Sequence, residues 1–232
     1  MPVFLSKRDI NSQERMDNPE CDLSELNNTY RQFKIVNTVI ARWHKIFNSI
    51  IKPLFDDPSQ SYTLLDIGFG GGDIPLKLAH WASKSTIPLH ITGIETDIRA
   101  YEFASSRQAP DNVTYLLASS ADLLEAGKKY DVVISNHLLH HLDGDAFISI
   151  LSEARQLSRK AVIFNDIERS DVGYLLFNIL SRPAFRSSFI TGDGLTSIKR
   201  SYTFSELTQA APAGWKVQRL FPYRLLLSYY HE

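Results

Sequence analysis

Four glycines within five positions form the segment of this sequence best suited to hold a ligand. Gly68, Gly70, Gly71 and Gly72 directly follow the apolar run 64–67. Glycine allows positive φ angles and lets a ligand approach the backbone, and the helix expected next offers free amide groups at its first turn. So many glycines would destabilise a turn with a purely structural role, which favours a bound ligand. A Gly-x-Gly pattern alone does not identify that ligand.

An acidic residue ends the next apolar run. Glu95 follows 90–94 about one strand-helix-strand repeat after the glycines, where nucleotide sites of this kind place a carboxylate that accepts hydrogen bonds from both ribose hydroxyls. Asp97 is the competing candidate, but its position also suits capping of a helix that begins near Ile98. We favour Glu95 because it stands at the end of the expected strand.

A later run, 130–135, leads into polar residues and three histidines. Ser135 and Asn136 end this run, and ligands bind at the carboxyl ends of the strands in parallel sheets. We therefore expect both residues beside a cofactor or substrate. His137 and His140 follow within five positions, and a histidine with a pKa near neutrality can take a proton from a phenol or an enol.

The expected roles of the histidines differ. His140 is our first candidate for a general base and His137 the second, with Asp166 at the end of the run 161–166 expected to line the same side. The alternative is that His141, and also the other two histidines, have only structural roles in packing or capping. No metal site is expected, because neither a carboxylate nor a cysteine cluster stands at the usual ligand spacing.

The order of elements explains how these residues meet. Short apolar runs alternate with helical patterns, as in strand-helix-strand units around a mostly parallel sheet. Strands are predicted at 63–67, 90–94, 113–117, 130–135 and 161–166, and helices at 74–81, 98–106, 144–157 and 172–180. The closing runs 215–220 and 223–229 could pair as an antiparallel edge.

Other segments flank these units. Residues 1–28 are polar and predicted to be irregular or briefly helical, whereas 29–55 shows apolar residues at helical spacing and predicts one long amphipathic helix or two. Pro53 and Pro58 are expected to end it. A polar loop is predicted around 191–194, and Thr203 or Ser205 opens a last helix before Pro212.

Composition limits the function classes. The chain has 232 residues, enough for one α/β domain with an appended element. Its 25 basic and 26 acidic residues provide no field that would attract nucleic acid. Cys21 is the only cysteine, which fits a reducing cytoplasm, and no apolar run is long enough for stable membrane insertion.

Taken together, four segments resemble the motifs of class I S-adenosylmethionine-dependent methyltransferases. Asp66, Gly68, Gly70 and Gly72 match the first motif, in which an acidic residue ends the first strand before Gly-x-Gly-x-Gly; a dinucleotide fingerprint would need glycine at Asp73. The resemblance covers about 62–168. It implies a Rossmann-like, doubly wound α/β fold with a mostly parallel seven-stranded sheet, and S-adenosyl-L-methionine as the cofactor.

The resemblance also assigns further contacts. It implies that Asp66 holds the turn and approaches the methionine part of the cofactor. Many relatives place an aspartate after the third strand to bind the adenine, but this sequence has Ser119 there, so Ser119 or Ser120 is the expected contact. Asp122 nearby could merely cap a turn.

The chain ends resemble a bacterial subgroup related to the ubiquinone and menaquinone methyltransferases and found with polyketide-type pathways. The resemblance rests on 14–17, 31–37, 165–170 and 221–225. It implies an N-terminal helical arm or lid over 1–58, a cofactor-binding domain over 59–232, and a cover of the acceptor side over 169–202. An amphipathic helix without a sheet position must bury its apolar face against the domain or a substrate.

These observations predict a cytoplasmic, monomeric or homodimeric enzyme of secondary metabolism that methylates a small-molecule acceptor. O-methylation of a phenolic, quinol or polyketide-like compound is the leading expectation, because the chain lacks a basic excess and has histidines after the fourth strand. C- or N-methylation of a small molecule, a non-catalytic cofactor-binding protein and a nucleotide-dependent oxidoreductase are the alternatives.

Overall fold

A seven-stranded, mostly parallel sheet forms the centre of the protein in the computed structural model, which describes residues 2–57 and 59–231. The strand order is β3-β2-β1-β4-β5-β7-β6. The strands are β1 (Tyr62–Ile67), β2 (Leu89–Glu95), β3 (Val113–Leu117), β4 (Tyr130–Asn136), β5 (Ser158–Ile167), β6 (Lys216–Leu220) and β7 (Arg224–Tyr230). β1 to β5 pair in parallel, and β7 pairs antiparallel with both β5 and β6. The Rossmann-like fold expected from the sequence is confirmed.

Helices cover both faces of this sheet. They are α1 (Leu23–Val39), α2 (Trp43–Ile46), α3 (Asp73–Lys84), α4 (Ile98–Ser105), α5 (Ser120–Glu125), α6 (Gly144–Leu157), α7 (Asp171–Ala184), α8 (Ile190–Arg200) and α9 (Phe204–Ala210). Alternate side chains of a strand point to opposite faces. Leu64 of β1 accordingly packs with Trp43 and Leu78 on one face, and Leu65 packs with Phe147 on the other.

The N-terminal helix begins earlier than predicted. α1 starts at Leu23 because the Asp22 side chain accepts a hydrogen bond from the Glu25 amide and caps it. Residues 23–28, predicted to be irregular or only briefly helical, are therefore part of this long helix. The sequence left open one helix or two over 29–55, and there are two: the chain breaks at Arg42, whose φ is +58°, before α2 continues through a π-helical turn and a 3-10 turn to Leu54. Pro58 lies outside the described residues.

The polar loop predicted around 191–194 is wrong, because these residues belong to α8. Two tertiary contacts stabilise this helix despite its glycines. The buried Asp193 carboxylate accepts hydrogen bonds from the Arg15 and Met16 amides. A Cβ at Gly194 would lie 2.4 Å from the Phe177 ring, so glycine permits α7 and α8 to approach closely.

The end of the chain follows the prediction closely. Thr203 caps α9, and β6 and β7 form the antiparallel edge. Among residues 2–57 and 59–231, no helix combines the length and the apolar character that a membrane span requires. α1, α7 and α8 lie above the carboxyl ends of the parallel strands, where they enclose the site described next.

Candidate active site

A cavity of about 690 Å³ opens at the carboxyl ends of the parallel strands. Its floor contains the loops that follow β1, β2 and β4, and its cover consists of the N-terminal arm (residues 2–22), α1, α7 and α8. Most of its lining is apolar, with polar groups concentrated beside the strand ends. A cavity of this size and character is typical of small-molecule sites.

The glycine turn contributes two of its predicted residues to the cavity. Gly68 and Gly70 line it and adopt φ angles of +74° and +52°, which other residues rarely adopt. A Cβ at Gly70 would meet no described atom within 4 Å, so the space beside this backbone is open to a ligand. Gly72 instead packs against Tyr115 of β3, whose hydroxyl donates to the Gly72 carbonyl. Its predicted contact with the cofactor stays a prediction.

Glu95 lies where the sequence placed it, at the end of β2 and in the cavity wall. Its Oε2 accepts a hydrogen bond from the Gly70 amide at 3.0 Å, and its Oε1 accepts one from the Thr96 amide at 2.8 Å. These bonds fix the carboxylate beside the glycine turn. Asp97 caps α4 through the Arg99 amide and forms an ion pair with the Arg99 side chain, although it also borders the cavity.

Asp66 is buried beneath the turn rather than exposed in the cavity. Its Oδ1 has no hydrogen-bond partner among the described residues. Burial, together with the charges of Asp73 and Glu95, raises the pKa of Asp66 well above its usual range. A buried carboxyl without a partner is costly, so it marks a position where a bound group would complete the structure.

The three predicted serine contacts have other partners. Ser119 caps α5 in a reciprocal arrangement with Asp122, as the sequence alternative allowed, and the Ser120 hydroxyl donates to Glu153. The buried Ser135 hydroxyl donates to the Ile67 carbonyl. None of the three lies in the cavity lining described for residues 2–57 and 59–231. The predicted contacts of these hydroxyls with the cofactor stay predictions.

Asn136 and His137 line the cavity, and both accept hydrogen bonds from the buried guanidinium of Arg224. Arg224 of β7 donates to His137 Nε2 at 2.9 Å and to Asn136 Oδ1 at 3.2 Å. Burial and this guanidinium hold the pKa of His137 well below its usual range. His137 therefore carries a neutral ring, which makes it a weak base, and its φ of +61° shows a strained backbone of the kind found at functional sites.

His140 is held between two carboxylates. Its Nδ1 lies 2.7 Å from Asp166 Oδ1, and its Nε2 lies 3.2 Å from Glu14 Oε1. Burial alone would lower the pKa of His140, but Asp166 and Glu14 outweigh it and raise the pKa to about 9. Burial would conversely raise the pKa of Asp166, but His140 keeps it below its usual range. Near neutral pH, His140 is therefore an imidazolium.

Glu14 is a cavity residue that the sequence does not predict as part of the site. It lies 126 positions from His140 in the chain, so no local pattern connects the two residues. Its buried carboxylate also accepts a hydrogen bond from Ser197 of α8 at 2.6 Å. Asp193 binds the next two backbone amides, so Glu14 enters the cavity from a segment fixed to α8.

Glu14 also creates a group of potential metal ligands. One ligand atom each from Glu14, His140 and His141 lies within 4.8 Å of the others. The sequence disfavoured a metal because no carboxylate stands at ligand spacing, and the fold provides one from a distant segment. These residues equally satisfy one another through hydrogen bonds and ion pairs, and the expectation of no metal stays a prediction.

The comparisons with known proteins bear on this same region. Residues 64–161 match a methyltransferase domain. This methyltransferase domain begins in β1, ends in β5 and contains the glycine turn, Glu95 and all three clustered histidines. Glu14, Asp166 and Arg224, which complete the surroundings of the histidines, lie outside it. No curated protein sequence matches the chain.

Solved structures share the fold over most of the chain. A plantazolicin methyltransferase in complex with SAH (S-adenosylhomocysteine) is 13% identical with a TM-score of 0.65 over 94% of this chain and 93% of that one. A putative O-methyltransferase from Nostoc punctiforme is 16% identical with a TM-score of 0.61, over 95% and 64%. The magnesium protoporphyrin IX methyltransferase from Synechocystis is 16% identical with a TM-score of 0.51, over 87% and 84%.

Proposed function

We propose that this protein is an S-adenosyl-L-methionine-dependent methyltransferase that transfers the methyl group to a hydroxyl oxygen of a phenolic, quinol or polyketide-like small molecule. One observation carries the proposal: Gly68, Gly70 and Glu95 line the same cavity as His140. The cavity thus joins residues suited to an adenosyl cofactor with a group suited to proton transfer. The methyltransferase-domain match and the SAH-bound structure of similar fold support it.

The residues around the glycine turn fit the cofactor. The open space beside Gly70, the carboxylate of Glu95 and the partnerless Oδ1 of Asp66 are features that a bound group would complete. Gly68 and Gly70 would contact it through the backbone, and Glu95 would accept hydrogen bonds from its ribose hydroxyls. When bound, S-adenosyl-L-methionine supplies an electrophilic methyl group on a sulfonium.

His140 is the proposed general base. Asp166 accepts a hydrogen bond from Nδ1, so Nε2 is the nitrogen available to an acceptor. Since Asp166 and Glu14 hold the ring as an imidazolium, we infer that His140 first releases its Nε2 proton to solvent. The neutral ring then takes the acceptor's proton at Nε2 as the acceptor oxygen gains the methyl group, and it returns this proton to solvent before the next turnover.

His137 is the proposed positioning residue beside this base. Because Arg224 donates to Nε2, the ring proton resides on Nδ1 and can be donated to an acceptor oxygen. The arm, α1, α7 and α8 would exclude water from the cavity and align the acceptor, and alignment contributes much of the rate in a displacement reaction. The relation to ubiquinone- and menaquinone-type enzymes is part of the same proposal.

The test is incubation of the purified protein with methyl-labelled cofactor and a panel of phenols, quinols, amines and polyketide-like compounds. We expect label on a phenolic or quinol oxygen, located by NMR of the product. As a control, Glu153→Gln should transfer label to the same acceptors, since Glu153 lies outside the cavity lining. Label only on nitrogen or carbon would contradict O-methylation, and label only on protein or RNA would contradict a small-molecule acceptor.

A further inference from the structure

Exposed aliphatic side chains gather on one face of α7. Val172, Leu175, Leu176, Ile179 and Leu180 follow the spacing of a single helical stripe and are 46% to 66% exposed. A stripe of this kind normally faces the core of a protein. On α7 it continues outward from the cavity, because Leu176 and Leu180 also line the cavity.

Exposed aliphatic side chains of α1 also line the cavity. Ile35 and Val39 of α1 lie one helical turn apart, line the cavity and are 53% and 63% exposed. Leu176 and Leu180 face the mouth from α7. These four residues, here called the aliphatic rim, contact both the cavity interior and the solvent. None of them carries a polar group.

A group of polar side chains lines the cavity beside the strand ends. Glu14, His137, His140 and Asn136 surround the ends of the strands and the loop after β4. An acceptor that satisfies both regions must be polar at one end and aliphatic at the other, since a polar tail at the rim would exchange water for aliphatic surface.

We propose, building on the function above, that the acceptor is an amphiphile whose hydroxylated ring lies beside His140 and whose alkyl chain passes between α1 and α7 at the aliphatic rim. The chain would shield side chains that are otherwise exposed. Removing apolar surface from water favours binding by about 0.8 kcal/mol per methylene, which corresponds to about fourfold in affinity.

A series of 4-alkylphenols of increasing chain length tests this inference in two ways. Calorimetry on the protein saturated with S-adenosylhomocysteine gives the Kd of each phenol, and turnover with S-adenosylmethionine gives kcat/KM. Both should improve by up to about fourfold per methylene and then level off once the chain passes the rim. Equal Kd values for short and long phenols would overturn the inference.

Matched variants on one helix locate the effect. Leu176→Gln and Leu180→Gln should each remove most of the gain in affinity from the shortest to the longest phenol. Leu175→Gln, which alters the same residue type at 50% exposure but outside the cavity lining, should leave the gain intact. An equal loss of the chain-length gain in all three variants would contradict the proposal that the alkyl chain lies at the aliphatic rim.

An alkylbenzene of matched length separates the acceptor from an ordinary lipid chain. We expect it to bind less tightly than the corresponding phenol, because it leaves the polar end of the cavity without a partner. Equal affinity would overturn the inference in favour of a general lipid site. A Kd that depends on chain length without methylation of any phenol would contradict the proposed O-methylation but not the binding of the alkyl chain at the aliphatic rim. Methylation of phenols without any effect of chain length would contradict only the binding of the alkyl chain at the rim.

Discussion

The Asp166 carboxylate faces His140 with both of its oxygens: Oδ2 accepts from the His140 backbone amide at 3.0 Å, and Oδ1 lies 2.7 Å from ring Nδ1. The two contacts fix the ring orientation and hold the proton on Nδ1. Asp166 therefore acts on the reaction through His140, as a positioning residue.

Asp166→Asn should consequently lower both the pKa of His140 and the rate. NMR titration of the imidazole should give about 9 for the wild type and a lower value for the variant, and kcat should fall by about 10- to 100-fold. Asp131→Asn is the control, because Asp131 also accepts from a backbone amide, that of Thr63, outside the cavity lining. An unchanged His140 pKa in Asp166→Asn would contradict the role assigned to this pair.

The charge on His140 also predicts how stability depends on pH. The pKa is raised from 6.5 to about 9 on folding, so the folded state binds the proton more tightly. The resulting stabilisation, on the order of 3 kcal/mol, should be complete below pH 6.5 and be lost as the pH rises through about 9. Urea unfolding measures the free energy of unfolding of the wild type and of His140→Asn. The difference between the two values should shrink as the pH rises across this range. A constant difference would contradict a charged His140.

Two glycines in α8 provide a matched test of its packing. A Cβ at Gly194 would lie 2.4 Å from the Phe177 ring, whereas one at Gly192 would meet no described atom within 4 Å. Gly194→Ala should destabilise the protein by about 1–3 kcal/mol through overpacking. Gly192→Ala should stabilise it by up to about 1 kcal/mol through helix propensity. Equal changes in the unfolding free energy would show that α7 and α8 do not pack as described.

The proposed chemistry requires no metal at Glu14, His140 and His141, although their ligand atoms lie close together. The acceptor's proton passes to His140, and no step calls for a Lewis acid. Turnover should therefore be unchanged after treatment with EDTA and after dialysis against Zn²⁺-free buffer. Activity that disappears with the chelator and returns with a divalent ion would contradict this account and assign the three residues to a metal.

Local patterns in the sequence were sufficient to predict the parallel strands and the turn after β1. β2 and β4 are mostly apolar runs ended by a polar residue, and this pattern predicts Glu95 and Asn136 at strand ends. The glycine turn could also be predicted locally, because positive φ angles favour glycine.

Tertiary contacts decided what local patterns could not predict. The helix at 190–200 contains two glycines and an aspartate, and its stability depends on the arm and on Phe177. Glu14 reaches His140 only through the fold, and burial together with Arg224 of β7 lowers the pKa of His137. The serines after β3 have hydroxyls suited to a ligand, and in the structure Ser119 caps α5 and Ser120 donates to Glu153.

The central claim is that the glycine turn and Glu95 bind an adenosyl cofactor, and titration of S-adenosylhomocysteine into the protein by calorimetry tests it most directly. We expect one site per chain, about 10- to 100-fold weaker binding for Glu95→Gln, as loss of charged hydrogen bonds implies, and a smaller effect for Asp97→Asn, since Asp97 is occupied with α4 and Arg99. No heat of binding from folded wild-type protein would contradict the claim, as would equal losses in the two variants.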